Sequence, residues 1–139
     1  MMALLVACQK IETGQTIDAR TMQLVKSLGL LGKDEHILLY YSNFEKSKAG
    51  SFLTDKRIAH YWLEKNSENN RVESACYPDI ISITPQYKVP DFDCPYIEIT
   101  AKNGARFRAY MDGSSEEKKL FFEQAVGLWH KSRMTNVAP

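Results

Sequence analysis

The segment at residues 51–62 reads SFLTDKRIAHYW, and it places four polar residues, 54–57, between two apolar and aromatic halves. Runs of aromatic and β-branched residues favour β-strands, and a short polar insert between two such runs is typical of a hairpin turn. Thr54 and Asp55 have side chains that hydrogen-bond to backbone groups in turns, and Arg57 is expected to pair with Asp55 or with a neighbouring strand. The segment therefore predicts a hairpin whose polar residues form a bend and not a functional site.

The chain on both sides of this hairpin contains further short segments of the same character. Polar loops such as residues 45–50 and 66–70 separate many of them. Together with the hairpin they predict about seven strands in an antiparallel sandwich or a partly open barrel, because short strands with turns between them are typical of both. The segments outside the hairpin are 36–44, 71–77, 79–87, 96–101 and 105–111.

The last two segments determine their own register, because their apolar residues alternate with polar ones. A two-residue turn would place Ile99 opposite Arg108, so that core-facing and solvent-facing residues would share one face of the sheet. A three-residue loop of residues 102–104 pairs Ile99 with Phe107 instead, and it places Gly104 at the left-handed position that such loops need. The sequence therefore predicts the three-residue loop.

An amphipathic helix is predicted before the first strand, over residues 17–31. This stretch contains good helix formers, and most of its apolar residues fall on one helical face. Thr16 or Asp18 fits the position of the N-terminal cap, and Gly29 or Gly32 fits the end. We expect this helix to dock on the main body of the domain.

A second helix is predicted after the last strand. Ser114 with Glu117 three residues later forms a capping box. The residues that follow make a broad apolar stripe that contains Phe121, Ala125 and Leu128. A single aromatic-rich helix after a run of strands must bury that stripe, so we expect it to cover the open end or one face of the barrel.

Seven strands followed by one closing helix is the element order of pleckstrin-homology-like (PH-like) domains. Residues 50–57 follow Gly-x-x-Leu-Thr-Asp-x-Arg, which resembles a hairpin of bacterial PH-like domains, and residues 77–83 resemble their aromatic-x-Asp-Ile-x-x-Ile motif at the fourth or fifth strand. The pattern Ile-x-Ile-x-x-x-x-Gly at 97–104 fits as well. The resemblance covers about residues 34–133. It implies a PH-like fold, with the polar insert at the junction of consecutive strands.

The composition is that of one ordinary globular domain. The chain has 139 residues and a net charge of +1, so it has neither a nucleic-acid-binding footprint nor a field that would attract acidic substrates. Its three cysteines are widely spaced, which argues against a disulfide framework or a zinc site and favours a reducing compartment. We expect a cytoplasmic protein, at most one located at the cytoplasmic side of a membrane.

The N-terminal residues 2–8, MALLVAC, form a short apolar run. The run has no basic residue before it and is much shorter than a signal peptide, which needs roughly 15–30 residues, or than a membrane span. We expect a β-strand or a packed tail. The alternative is the remnant of a membrane segment that lies further upstream.

No catalytic or metal-binding constellation is visible in the sequence. His36, His60 and His130 are far apart and lack partners at metal-ligand spacing, and His60 is expected to be a packed histidine. Asp91 and Asp93 suggest a calcium loop, but no third acid follows at the right spacing. Nucleotide-binding and hydrolase motifs do not occur. We therefore expect a protein that is not an enzyme and needs no cofactor and no metal.

The basic residues around the first hairpin are the candidate ligand-binding group. Lys46 and Lys48 fall in the loop after the first predicted strand, and Lys56 and Arg57 follow the second. Eukaryotic PH domains that bind phosphoinositides gather basic residues in this region. Acidic residues dilute the group here, so we expect weak binding to membranes or none.

The predicted organisation is an N-terminal tail and helix at 1–33, a PH-like domain at 34–133 and a flexible tail at 134–139. The predicted function is a non-catalytic binding or self-assembly module with a protein partner, either a second copy or another protein, and no nucleic acid. Exposed sheet edges favour self-association. The alternative is a membrane-proximal accessory domain of a bacterial membrane-associated protein whose anchor is missing or truncated.

Overall fold

The computed structural model describes residues 11–90 and 93–137. The apolar run at 2–8 and Asp91, one of the two acids of the calcium alternative, lie outside the described residues. The helices are α1 (Ala19–Ser27) and α2 (Ser115–Val137). The strands are β1 (Ile37–Tyr41), β2 (Ala49–Thr54), β3 (Arg57–Trp62), β4 (Arg71–Cys76), β5 (Ile80–Gln86), β6 (Tyr96–Ala101) and β7 (Arg106–Tyr110).

The strands form two antiparallel sheets. β1 to β4 make the first sheet in sequence order, and β5 to β7 make the second. The inner faces of the two sheets share one hydrophobic core, and the sheets do not close into a barrel. The predicted fold class is confirmed, and of its two predicted forms the open sandwich is the one observed.

The loop between β6 and β7 has the predicted length. Ile99 lies opposite Phe107 and Ile97 lies opposite Ala109. Gly104 has a φ of 86° and donates its backbone N–H to the oxygen of Ala101 at 2.9 Å. The burial of alternate residues was sufficient to select this register, because a shift by one residue would turn the apolar side chains to solvent.

The closing helix α2 covers the core between the sheets, as predicted. Its capping box forms in both directions, since Ser114 Oγ accepts from the Glu117 N–H and Glu117 Oε1 accepts from the Ser114 N–H. Phe121 is fully buried, and Trp129 donates its indole N–H to the Ile80 oxygen at 3.0 Å. Burial of the Phe121 ring contributes roughly 2–3 kcal/mol. The helix extends to Val137, so it includes four residues of the predicted tail at 134–139.

The first helix, α1, covers the outer face of the first sheet and builds a second, smaller core with Tyr40, Phe52 and Tyr61. Asp18 is the residue that caps it, with Oδ1 accepting from the Thr21 N–H at 2.7 Å. The helix is shorter than the predicted 17–31, because Gly29 turns the chain at its end with a φ of 76°.

The segment before α1 ties the domain together at the edge of the first sheet. Glu12 exchanges two backbone hydrogen bonds of 2.8 Å with Tyr40, so it occupies the outer edge of β1. The backbone N–H of Ile11 donates to Glu117 Oε2 at the start of α2. The N-terminal segment therefore protects a sheet edge that would otherwise be open.

Candidate binding site

The polar insert at residues 54–57 forms the bend of the hairpin, as predicted. Thr54 Oγ1 accepts from the backbone N–H groups of Lys56 and Arg57, each at 2.9 Å. Asp55 Oδ1 accepts from the backbone N–H of His36 at 3.0 Å. These bonds satisfy backbone groups at the junction of β2 and β3, which is a structural role.

Arg57 does not pair with Asp55, one of its two predicted partners. Its guanidinium forms a forked ion pair with Glu35, with Nε and Nη2 each 2.8 Å from a carboxylate oxygen. Glu35 also accepts from Thr54 and from the Gly32 N–H. Burial acts to raise the pKa of Glu35, but these hydrogen bonds outweigh it and hold the pKa below its ordinary value.

The four basic residues of the candidate ligand-binding group do not come together. Lys46 and Lys48 lie at one end of β2, while Lys56 and Arg57 lie at the other end. β2 has six residues, so the two pairs are about 20 Å apart. Lys46 pairs with Glu12, and Arg57 pairs with Glu35. The structure therefore shows two separate basic pairs and not one surface.

A cleft of about 940 Å³ lies at the end of the sandwich where three loops meet. It lies between the two sheets, since His60 and Trp62 of β3 line it on one side and Tyr110 of β7 lines it on the other. The remaining lining residues are Asn43, Phe44, Glu64, Glu68, Asn69, Asn70, Arg71, Asp93 and Cys94. No described residue of α2 is among them, so the closing helix does not line this cleft.

Two exposed aromatic side chains form the mouth of this cleft. Phe44 is 56% exposed and Trp62 is 37% exposed, and their rings stack with centroids 6.3 Å apart. The Trp62 indole donates its N–H to Glu64 Oε1 at 2.7 Å, which holds the ring in place. Lys48 Nζ lies 5.7 Å from the centre of the Phe44 ring. A smaller pocket of about 540 Å³ shares both aromatic residues.

His60 lies in the cleft as a buried histidine, as predicted. Burial, together with the nearby Arg71, lowers its pKa to about 4, so the ring is neutral at physiological pH. Its Nδ1 is 3.3 Å from Ser51 Oγ, a pairing that resembles the serine and histidine of hydrolases. Ser51 is only 2% exposed. A substrate therefore has no access to the Ser51 hydroxyl, and we interpret the pair as structural.

The acidic side chain of Asp93 lies at the edge of the cleft. Its Oδ2 is 3.8 Å from Arg108, whose guanidinium lies 4.3 Å from the centre of the Tyr96 ring. Its Oδ1 accepts from the Cys94 N–H. Among the residues that the structure describes, no group of three metal-ligating side chains occurs, and Cys76 and Cys94 are free thiols.

The two-sheet sandwich with its closing helix is found in a solved structure. The chain is similar to the crystal structure, at 2.00 Å resolution, of a DUF1696 family protein with a pleckstrin-homology domain from Shewanella loihica PV-4. The TM-score is 0.51 with 13% sequence identity, over 78% of this chain and 92% of that chain. The fold is pleckstrin-homology-like. This confirms the resemblance inferred from residues 50–57 and 77–83.

The sequence of this PH-like domain matches no family model and no curated protein. The similarity to the Shewanella structure therefore concerns the fold alone. In the described residues no helix has both the length and the apolar character needed to cross a membrane.

Sequence reasoning missed the aromatic pair of the PH-like domain. Phe44 and Trp62 were interpreted only as members of strand-forming segments, although each stands at the end of its segment beside a polar loop. That position is a usable signal, because an aromatic residue at a strand end next to a loop has no assured place in the core. Their stacking depends on the pairing of β2 with both β1 and β3, which the sequence does not state.

Proposed function

We propose that this chain is a non-catalytic PH-like binding module that holds a segment of a partner protein in the cleft between its sheets. The observation that carries the proposal is the stacked pair of Phe44 and Trp62 at the cleft mouth. Aromatic residues dominate the energetics of protein interfaces, and a folded domain gains nothing from leaving two of them stacked in solvent.

The polar surroundings of the pair support a polypeptide ligand. Two of the three asparagines that line the cleft use their side-chain oxygens within the domain: Asn43 accepts from the Asp112 N–H and Asn70 from the Glu64 N–H. Their amide N–H groups have no hydrogen-bond partner in the described part of the chain and can donate to a ligand. An apolar wall with a few fixed polar groups is typical of a site that binds a specific ligand.

The non-catalytic part of the proposal rests on accessibility. Ser51, whose hydroxyl contacts His60, is buried, and burial raises the pKa of Cys94, the thiol that lines the cleft, which makes it less reactive. Desolvation is the main cause of the raised pKa of Cys94, and the negative charges of Asp112 and Asp93 raise it further. Neither group has the activation that a catalytic nucleophile needs.

A random peptide library displayed on phage tests the proposal. We expect the wild-type domain to enrich a set of related peptides and the Phe44→Ser/Trp62→Ser variant to lose that enrichment. Ile81→Ser/Leu120→Ser is the matched control, because these two apolar residues are similarly exposed but lie outside the cleft. Absence of enrichment, or equal enrichment by the Phe44/Trp62 variant, would overturn the proposal.

A further inference from the structure

β4 is an edge strand with unpaired backbone groups. Among the described residues it pairs with β3 alone. The Tyr77 N–H donates to the Lys56 oxygen at 3.2 Å at the end of that ladder, and hydrogen-bonded pairs recur at every second residue of an antiparallel ladder. The residues whose N–H and C=O groups point away from β3 are therefore Val72, Ser74 and Cys76, and all three are exposed.

Two other sheet edges are protected, whereas that of β4 is not. Glu12 hydrogen-bonds to the outer edge of β1. β5 contains Pro85, which lacks the N–H that an added strand would need. β4 has no proline, and no described segment lies along its outer edge. It is therefore suited to accept one more strand.

The side chain of Glu73 is the second observation. Glu73 lies opposite His60 on the inner face of the first sheet, and it is half-buried. Its carboxylate forms no hydrogen bond and no ion pair within the described residues. Burial raises its pKa, and the nearby Arg71 only partly offsets this effect. A desolvated carboxylate without a partner favours a cation beside it.

The geometry of an added strand brings these two observations together. A segment that hydrogen-bonds to Val72 and Ser74 places its intervening residue directly opposite Glu73, in a pair without mutual backbone hydrogen bonds. Side chains are closest in such pairs, with Cα atoms about 4.5 Å apart. That residue also points to the inner face, where the Glu73 carboxylate lies.

We propose that β4 binds an extended segment of a partner polypeptide that carries a lysine or arginine opposite Glu73. This inference rests on the proposed binding function and specifies its ligand. Arg71, the first residue of β4, lines the cleft, so a segment paired with β4 reaches the edge of the cleft at Arg71.

A second copy of this chain fits the edge less well than a separate polypeptide. If Arg71 of the second copy lies opposite Glu73, the two-fold axis passes through Val72. The strands then overlap over about three residues, because the 3₁₀ helix Ser67–Asn69 closely precedes β4 in each copy. A longer overlap, centred on Ser74, places alanine opposite Glu73 and leaves its carboxylate unpaired.

The experiment is a phage selection with random nine-residue peptides on the wild-type domain and on Glu73→Lys. We expect the wild type to enrich peptides with lysine or arginine at one fixed position. The charge-reversed variant should enrich aspartate or glutamate there instead. Glu123→Lys is the matched control, since it reverses an exposed carboxylate on α2, outside the cleft, and should keep the wild-type preference.

A selected peptide, made synthetically, tests the backbone pairing. N-methylation of the residue opposite Val72 or Ser74 should lower its affinity about tenfold or more, because it removes a ladder hydrogen bond and crowds the edge. N-methylation of the basic residue opposite Glu73 should change the affinity much less, since its N–H points away from β4. Equal effects at both kinds of position would overturn the proposal.

The outcomes separate this inference from the proposed function. Enrichment that depends on Phe44 and Trp62 but shows no basic preference would overturn the β4 assignment and leave the binding function intact. No enrichment at all would overturn both. If Glu73→Ala instead makes the domain dimerise in sedimentation while the wild type selects no basic peptide, Glu73 protects the edge and the inference is wrong.

Discussion

At the scale of single residues, Gly50 shows why the hairpin motif begins with glycine. A Cβ atom at this position would lie 2.6 Å from the Tyr40 hydroxyl and 2.8 Å from Tyr61 Cε1. The two hydroxyls are 2.5 Å apart, and that of Tyr61 donates to the Lys46 oxygen. The tyrosine rings therefore pass directly over the backbone of Gly50.

We expect Gly50→Ala to lower the free energy of unfolding by about 2 kcal/mol, because the extra methyl group must displace the tyrosine pair. Urea denaturation monitored by tyrosine and tryptophan fluorescence measures this loss. Gly127→Ala is the control. Nothing lies within 4 Å of a Cβ at that position inside α2, so the variant should gain stability by roughly 0.5–1 kcal/mol. Similar changes in the free energy of unfolding for Gly50→Ala and Gly127→Ala would contradict the steric explanation.

His60 predicts a pH dependence of stability. Its pKa is about 4 in the folded protein because of burial, against about 6.5 in an unfolded chain. The unfolded state therefore binds a proton that the folded state does not, and stability falls as the pH drops from about 6.5 to 4. The difference amounts to about 3 kcal/mol at most.

Urea unfolding of the wild type and of His60→Gln between pH 4.5 and 7 tests this prediction. The variant should show a shallower decline of stability with falling pH, whatever its absolute stability. The exposed His130→Gln is the control and should keep the slope of the wild type. An unchanged slope in His60→Gln would show that His60 is not the group responsible.

At the scale of elements, the pair of Glu35 and Arg57 joins the loop after α1 to the hairpin. The Glu35 side chain is only 1% exposed, and it accepts hydrogen bonds from Arg57, Thr54 and the Gly32 backbone. Arg57 also donates to the Gly29 oxygen at the end of α1. Arg57, the last residue of the hairpin motif, thus holds the first helix on the sheet.

Removal of Arg57 should therefore leave Glu35 buried without its main partner. We expect Arg57→Ala to lose about 3 kcal/mol of unfolding free energy, and Lys56→Ala in the same bend to lose less than about 0.5 kcal/mol. Because the folded pKa of Glu35 is lowered, its contribution is present above pH 4.5 and is lost as the pH falls further. Equal stability of both variants at pH 7 would contradict this account.

At the scale of the whole molecule, the distribution of charge argues against a membrane-binding surface. Useful basic clusters contain roughly four to eight Lys or Arg residues, each contributing about 1 kcal/mol. Here Lys46 and Lys48 lie far from Lys56 and Arg57, and two of the four have acidic partners. The domain should thus bind anionic lipid vesicles weakly or not at all.

Co-sedimentation with phosphatidylserine-containing vesicles in physiological salt measures this binding. We expect the same small bound fraction for the wild type and for the variant with Lys46, Lys48, Lys56 and Arg57 all changed to Ala. Strong binding by the wild type that the fourfold variant lacks would restore these residues as the ligand site.

Self-association remains a prediction for the whole molecule. Two copies paired through β4 overlap over few residues when Arg71 of one lies opposite Glu73 of the other. The surface area buried by this overlap is much smaller than that of a stable interface. We therefore expect sedimentation equilibrium to show monomers at micromolar concentration and dimers only near millimolar concentration. A strict monomer at the highest concentration would refute the prediction.

The amino-acid sequence by itself determined the features that depend on short-range patterns. The seven strands, the three-residue loop before Ala105 and the cap at Ser114 follow from alternation of apolar residues and from local turn chemistry, which also limited the cap of the first helix to Thr16 or Asp18. These signals lie within a few residues of one another, so they can be interpreted without knowledge of the packing.

Only the tertiary structure decided which distant residues meet. Arg57 pairs with Glu35 across 22 residues, and Phe44 stacks on Trp62 although different strands position them. The free edge of β4 and the separation of the basic pairs likewise depend on the order of strands in the sheet. Such contacts are a product of sheet pairing and core packing, and a periodic pattern specifies which face a residue occupies but not which neighbour it will contact.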